Sequence, residues 1–267
     1  MSGYGPNAWV QRHWDWRAAG NFIFGGAGSG LLLAAALVLP NGIARSLALP
    51  LGCALVGLGL FCVWLEIGRP WRALHVYFNP WTSWMTREAF AGLILLAAAA
   101  VAFFRPGAGT DLALALCAAL YAWCQGRILK ASKGIPAWRA PEVVLVVFCT
   151  AVAEGAGVAL LLGSDLAALP LFAIAVFARA FAWSVYRNAL RPSPSLAALE
   201  TAGRALIELG CAAVLALVLV SAFVPQVAPL AGLIAIATGW RFKFALVTRA
   251  AFNQGFALPR LPTRGAR

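Results

Sequence analysis

Charged residues are scarce in this chain of 267 residues, since lysine, arginine, aspartate and glutamate together make up only 11% of it. A soluble domain carries about 25% charged residues, so this composition excludes an ordinary soluble protein. Hydrophobic residues instead account for 62% of the sequence. Several runs of nearly uncharged residues are long enough to cross a hydrocarbon core of about 30 Å. The chain is therefore predicted to be an all-α integral membrane protein.

Histidines and paired cysteines are missing where metal chemistry would need them. The two histidines, His13 and His75, lie outside the apolar runs, whereas a membrane cytochrome b needs axial ligands that project from its helices. The six cysteines lie within the apolar runs and form no CxxC pair, the spacing typical of zinc and iron–sulfur sites. We expect no haem, no iron–sulfur cluster and no other metal in this chain, and we interpret the cysteines as core residues.

The apolar runs predict eight transmembrane helices. An even number of spans places both termini on one side of the membrane. The predicted spans lie near 18–39, 46–67, 86–104, 111–129, 142–163, 165–187, 202–224 and 227–247.

Basic residues outnumber acidic ones, 21 against 9, and they are distributed unevenly. Eighteen fall in the termini or near the loops on the same side as the termini, whereas only Arg45 and Arg105 fall on the opposite side. The positive-inside rule then places both termini in the cytoplasm, at a bacterial inner membrane. Topology and attraction to anionic lipid explain the net charge of +12, so no nucleic-acid partner is expected.

Three charged residues stand out because they lie well inside predicted spans, where a charge is costly and marks a function or a specific pairing. They are Glu154, Arg179 and Glu208. One interpretation is a structural Arg179–Glu208 ion pair that holds helices together. The other is a proton path formed by all three residues, and the sequence leaves both open.

The glycine-rich stretch GGAGSG at 25–30 has the composition of a phosphate-binding loop. It lies inside an apolar run, however, with no preceding strand and no following lysine. Gly26 and Gly30 form a GxxxG pair, which permits close helix–helix approach in lipid. We therefore interpret this stretch as a packing motif.

A polar and aromatic stretch, HVYFNPWTSWMTRE at 75–88, separates the second and third apolar runs. Further polar and aromatic residues, Trp16 and Arg17 among them, lie at the start of the first span. Histidine, asparagine and tyrosine beside tryptophan supply hydrogen-bonding groups for two carbonyl oxygens and an apolar wall for a ring. This combination predicts a quinone headgroup site that includes His75, Trp84, Trp16 and Arg17.

The stretch LEIGRPWRALHVYFNPWTSWMTREA at 65–89 resembles a loop of the polysulfide-reductase (NrfD-type) membrane-anchor family, and 14–32 and 121–141 resemble further parts of it. The resemblance implies two four-helix bundles and a chain without a cofactor of its own. It also implies electron exchange between a quinone and a ferredoxin-like subunit that holds [4Fe–4S] clusters and connects to a molybdopterin enzyme. By matching position, Asn21 and Tyr121 are expected to bind the quinone carbonyls, while His75 is placed nearby by its chemistry alone.

These expectations divide the chain into five parts. They are a cytoplasmic segment 1–17, a first bundle 18–129 with the docking and quinone loop 65–88, a basic cytoplasmic loop 130–141, a second bundle 142–248 and a cytoplasmic tail 249–267. The expected contacts with the soluble partners are Arg69, Arg72, Arg87, Lys130, Lys133 and Arg139.

The resemblance implies an oxidoreductase subunit without a catalytic centre of its own, which reacts with ubiquinone or menaquinone. The charge distribution places the docking loop in the cytoplasm, whereas the best-known members carry periplasmic partners. This points to the subfamily of anchors that serve phenylacetyl-CoA oxidation, and next to those of cytoplasmic sulfite dehydrogenases. A proton-coupled transporter and a purely structural anchor are the alternatives from other functional classes.

Overall fold

The computed structural model describes residues 7–67, 70–163 and 166–255. Eight helices in these ranges are long and apolar enough to cross a membrane, which confirms the predicted number of spans and the multi-pass helical fold. They are α1 (Trp16–Leu37), α2 (Ile43–Glu66), α3 (Trp84–Phe104), α4 (Ala108–Ala131), α5 (Glu142–Leu161), α6 (Leu169–Ala189), α7 (Pro194–Ser221) and α8 (Pro225–Arg249).

The largest error in the predicted boundaries is the start of α7, which was expected near residue 202. The helix begins at Pro194, directly after Ser193, whose hydroxyl accepts a hydrogen bond from the backbone N–H of Leu196. Proline at the first helical position and serine as N-cap are favourable there. The N-terminal part of this helix also contains Glu200 and Arg204. These charges lower its hydropathy, so a search for apolar runs does not detect it.

The segment between α2 and α3 is shorter than the predicted loop 65–88. Its central part, Pro70–Phe78, winds as a 3₁₀ helix, and Ser83 caps α3 by accepting a hydrogen bond from the backbone N–H of Thr86 at 3.3 Å. The last five residues of the predicted loop therefore belong to α3. Glu88, which the predicted span 86–104 already includes, is buried on this helix.

The helices pack around α1 and α5, which contact each other. In addition, α1 packs against α2 and α4, and α3 packs against α4; α5 packs against α4, α6 and α8, and α7 packs against α8. The closest approach joins α1 to α5, where a β-carbon on Gly155 would overlap the backbone of Gly30. The packing role predicted for the GxxxG motif is confirmed at Gly30.

The first and last described segments of the chain lie together at one end of the helices. Val10 and Phe252 form an antiparallel bridge, and the N–H of Gln11 donates to the carbonyl of Ala251 at 2.9 Å. At the opposite end Arg45 is buried, where it forms an ion pair with Asp111 and donates to the carbonyl of Ala35 at 2.6 Å.

Three of the long helices contain a π-helical turn, in which the backbone is wound more widely than in an α-helix. Such turns often occur at functional sites. The turns are Asn21–Gly25 in α1, Glu208–Ala213 in α7 and Ala245–Arg249 in α8. In each turn one carbonyl accepts a hydrogen bond from a side chain of another helix or loop: Gln125 donates to Asn21 (2.9 Å), Arg179 to Gly210 (2.5 Å) and Trp138 to Leu246 (3.1 Å).

Candidate functional site

A cavity of about 440 Å³ opens between α2, α3 and the 3₁₀ segment Pro70–Phe78. Its wall is mainly apolar and includes Leu60, Trp64 and Met85. Among the described residues of this wall, Glu88 is the one charged side chain. We call this space the outer chamber.

A smaller cavity of about 150 Å³ lies on the α1 side of the same carboxylate. Its wall includes the polar residues Asn21, Glu66 and Glu88, and it shares Val63, Ile67, Met85 and Glu88 with the outer chamber. We call it the inner chamber. The two spaces are adjacent, and Glu88 is the charged residue that their described walls share.

Glu88 is 3% exposed, and within the described residues no lysine or arginine lies within 4 Å of its carboxylate. Its Oε1 accepts a hydrogen bond from Nδ2 of Asn21 at 2.9 Å. The side-chain amide of Gln125 in turn donates to the backbone carbonyl of Asn21 at 2.9 Å, which helps to hold Asn21 in position. A buried carboxylate without a cationic partner is costly, and such a group is a typical sign of a functional site.

Tyr121 and Gln125 lie one layer behind the chamber wall, and both are fully buried. A β-carbon on Gly25 would lie 2.6 Å from Nε2 of Gln125 and 2.8 Å from the Tyr121 hydroxyl, so only glycine fits there. Three buried atoms of this cluster have no hydrogen-bond partner in the described part of the chain: the Asn21 Oδ1, the Tyr121 hydroxyl and the Gln125 Oε1. Buried polar groups are rarely left unpaired, so this cluster has the capacity to bind additional polar groups.

The predicted quinone residues are only partly brought together. Asn21 lines the inner chamber, and Tyr121 lies behind it. His75 is exposed and packs against Phe78 with ring centroids 5.4 Å apart, and it lines neither chamber. Trp16 is 59% exposed and lines neither chamber as well.

Arg17 and Trp84 make contacts that stabilise this end of the helices. Arg17 donates to Asp15 and to the carbonyl of Leu65 at 2.9 Å, and its hydrogen bond to the Asp15 carboxylate lowers the pKa of that group. The ring of Trp84 lies between two guanidinium groups, with Arg87 at 4.3 Å and Arg127 at 4.2 Å from its centre. Both interactions fix the ends of helices that surround the inner chamber.

Two important residues, Glu88 and Gln125, were not among the predicted quinone ligands. Glu88 was noted only as one of the polar residues near the membrane surface, although it lies inside the third predicted span. Gln125 follows Tyr121 by four residues, a spacing that places both side chains on one face of α4. That spacing is the signal that would have identified Gln125.

A second buried polar cluster lies between α5, α6 and α8. The Lys243 ammonium lies 2.6 Å from the Glu154 carboxylate, and the two side chains are 1% and 0% exposed. Arg179 is also fully buried and donates to the carbonyls of Ala235 (2.8 Å) and Gly210 (2.5 Å).

The predicted ion pair between Arg179 and Glu208 is wrong. Arg179 donates to two backbone carbonyls through its two terminal nitrogens. Glu208 is exposed on α7, where it begins a π-helical turn. The cation that pairs with a buried carboxylate is instead Lys243, which had been counted among the surface charges of the cytoplasmic side.

The two clusters meet at Gly26 in α1. A β-carbon on this residue would overlap the Lys243 ammonium and would lie 3.2 Å from Oε1 of Gln125. Buried polar side chains therefore continue from Glu88 through Gln125 and Lys243 to Glu154 and Arg179.

The residues expected to contact a partner have different environments. Arg72, Lys133 and Arg139 are exposed, and Lys130 is half-buried, whereas Arg69 lies outside the described residues. Arg87 differs from them because it donates to the carbonyls of Pro80 (2.8 Å) and Trp81 (2.7 Å) and so stabilises the preceding turn.

The fold and the two chambers define a multi-pass helical membrane protein whose apolar cavity reaches a buried carboxylate. No protein-family model matches the chain, and a search of characterised proteins found no significant match.

Proposed function

We propose that this chain is the quinone-reactive membrane subunit of an oxidoreductase complex, of the polysulfide-reductase (NrfD-type) kind that its sequence resembles. The observation that carries the proposal is the outer chamber, an apolar cavity of about 440 Å³ that ends at Glu88. Ligand sites of this kind have volumes of about 300–1,000 Å³ and mostly apolar walls with a few polar groups. The ring and tail of a quinone suit such a wall, and its oxygens suit the polar end.

Glu88 would exchange protons with the bound quinone. Oxidation of a quinol releases two electrons and two protons, and a carboxylate within hydrogen-bonding reach can accept a proton from the hydroxyl group. Asn21 would hold the Glu88 carboxylate in position, since its amide already donates to Oε1 at 2.9 Å. Tyr121 and Gln125 would act as positioning residues behind them.

Electrons would pass between the quinone and a partner at the end of the helices where Val10 and Phe252 form their bridge. Trp71 and Trp81 are 87% and 88% exposed there, and Arg72 is exposed beside them. Exposed aromatic and arginine side chains are enriched in protein interfaces. The partner in this proposal is a ferredoxin-like subunit with [4Fe–4S] clusters, joined to a molybdopterin catalytic subunit.

The basic end of the helices would face the cytoplasm of a bacterial inner membrane, and the catalytic subunit would use a cytoplasmic substrate. Phenylacetyl-CoA is the first candidate, because a CoA thioester is confined to that compartment, and sulfite is the second. Contacts within α1–α4 and within α5–α8 support the two four-helix bundles that the resemblance implies.

The second cluster would supply the proton path. Glu154 and Arg179 lie on the line of buried polar side chains that continues from Glu88, and Lys243 connects them to Gln125 at Gly26. Glu208, also expected in the path, lies off this line because its side chain is exposed.

A proton-coupled transporter is the second candidate function. It is favoured by the Glu154–Lys243 pair and the nearby Arg179, since charges buried within membrane spans often mark transport pathways. The outer chamber argues for the first candidate, because it is apolar and lies at the end of the helices rather than at their centre.

Purification in mild detergent and quinone assays would test the proposal. We expect iron- and molybdenum-containing subunits to co-purify, and Glu88→Gln to lower quinone turnover by about 100-fold. Reduction of a soluble dye by the same complex should be unchanged. Tyr121→Phe should lower quinone turnover less, because its hydroxyl lies behind the chamber wall.

Glu200→Gln is the matched control, because it makes the same chemical change at a half-buried position of α7 that lines neither chamber. It should leave both activities unchanged. A metal-free protein that purifies alone would contradict the proposal, and so would a Glu88→Gln complex with full quinone turnover.

A further inference from the structure

A cavity of about 460 Å³ lies between α1, α7 and α8, away from the two chambers. It is near the end of the helices where Val10 and Phe252 form their bridge. Its wall combines four hydrogen-bond donors, on Thr201, Trp240, Arg241 and Arg249, with apolar residues that include Phe244.

The donors around this cavity have no protein acceptor in the described part of the chain. Neither the Arg241 nor the Arg249 guanidinium has a hydrogen bond there or a carboxylate within 4 Å, and the buried indole N–H of Trp240 is unpaired. Thr238 and Thr248 in α8 each donate to the carbonyl four residues earlier, at 2.8 and 2.7 Å. Thr201 forms no such bond in this structure.

Two nearby arginines on α6 and α7, in contrast, have a carboxylate partner. Arg187 and Arg204 both lie close to Glu200, at 3.1 and 4.0 Å. The chain thus supplies a carboxylate for these two arginines and none for the two at the cavity. Two guanidinium groups and two neutral donors around one space match an anion that carries several oxygens.

The position of the cavity along the helices indicates which anion it accepts. Arg249 is the last residue of α8, and Arg241 precedes it by eight residues, or about 12 Å along the axis. The polar layer of a bilayer is about 5–8 Å deep on each side of the hydrocarbon core. The two arginines therefore extend across the boundary between headgroups and acyl chains.

We propose that this cavity binds the phosphodiester headgroup of an anionic phospholipid. Arg241 and Arg249 donate to the phosphate oxygens, Thr201 and Trp240 donate to the phosphate or glycerol oxygens, and the apolar side at Phe244 contacts an acyl chain. Basic pockets between transmembrane helices on the cytoplasmic side are known to bind such headgroups. Free phosphate shares the anionic group but has nothing to occupy the apolar part.

Native mass spectrometry of the delipidated complex would test this site. Phosphatidylglycerol and phosphatidylcholine are added separately, and the bound fraction is measured for the wild type and for Arg241→Gln/Arg249→Gln. We expect the wild type to prefer phosphatidylglycerol and the double variant to bind it at least about tenfold more weakly. Arg187→Gln/Arg204→Gln removes the same number of charges from neighbouring helices and should bind it as the wild type does.

Equal losses in the two double variants would overturn the proposal, since they would indicate a general charge effect. Equal binding of the two lipids by the wild type would overturn it as well. Inorganic phosphate is added as a competitor: displacement of the lipid by millimolar phosphate would assign the site to the free anion instead. Thr201→Val removes one donor without removing charge, and it should weaken lipid binding even where the arginine variant fails to fold.

Discussion

Glu154→Gln removes the only carboxylate of the second cluster and leaves Lys243 and Arg179 as buried cations without an anionic partner among the described residues. Loss of one member of a buried ion pair costs about 3–5 kcal/mol. Because the Lys243 and Glu154 side chains are 1% and 0% exposed, water offers little compensation. We expect the free energy of unfolding to fall by about 5 kcal/mol, because repulsion between the two remaining cations adds to the cost of breaking the pair.

Removal of the other member of the pair, in Lys243→Met, should lower the free energy of unfolding by less. Glu154 then keeps Arg179 as a neighbouring cation, so we expect a loss near 3 kcal/mol. The double variant Glu154→Gln/Lys243→Met removes both charges and leaves Arg179 with its carbonyl partners. It should be more stable than Glu154→Gln alone.

Thermal unfolding in detergent would measure these differences. A loss of 1 kcal/mol lowers the melting temperature by about 2–4 °C for a chain of this size, so Glu154→Gln should lower it by about 10–20 °C. The reasoning is refuted if Glu154→Gln is no less stable than Lys243→Met, or if the double variant is the least stable of the three. A slowed quinone turnover with unchanged melting would instead favour a role for Glu154 in proton transfer.

Three further predictions concern packing and the two ends of the helices. Gly155→Ala should lower the free energy of unfolding by about 1–3 kcal/mol through overpacking, whereas Gly57→Ala, where a β-carbon meets nothing within 4 Å, should not lower it. Arg72→Glu should release the soluble subunits from the membrane at moderate salt in a sedimentation assay, and a complex that stays membrane-bound would contradict the docking surface. Asp111→Asn should lower the melting temperature because it leaves Arg45 buried without its carboxylate partner, and unchanged melting would mean that the Ala35 carbonyl suffices.

Most of the fold was predictable because lipid imposes a simple length requirement on apolar segments. The eight spans followed from that requirement alone. The length requirement did not predict the start of α7, because this helix extends beyond its apolar part. Ser193 and Pro194 begin it, and its first turns contain the charged residues Glu200 and Arg204. Hydropathy measures the apolar length of a helix, whereas capping residues determine where the helix begins.

The site was harder to predict because its contacts join residues that are far apart in the sequence. Asn21 and Glu88 are 67 positions apart, and Glu154 and Lys243 are 89 positions apart. Charge counting assigned Lys243 to the membrane surface, since a lysine near the end of a predicted span normally reaches water. Only the packing of α8 against α5 shows that this side chain turns inward.

The π-helical turn at Asn21–Gly25 also constrains how this sequence can change. A π-turn contains one residue more than regular α-helical winding needs, so it corresponds to a single-residue insertion in α1. Deletion of one residue from the turn would leave the apolar length of the span almost unaltered. Regular winding would then rotate the part of α1 before the turn by about 100° relative to the rest. A hydropathy profile would not register such a deletion, yet it would move the Asn21 amide away from Glu88.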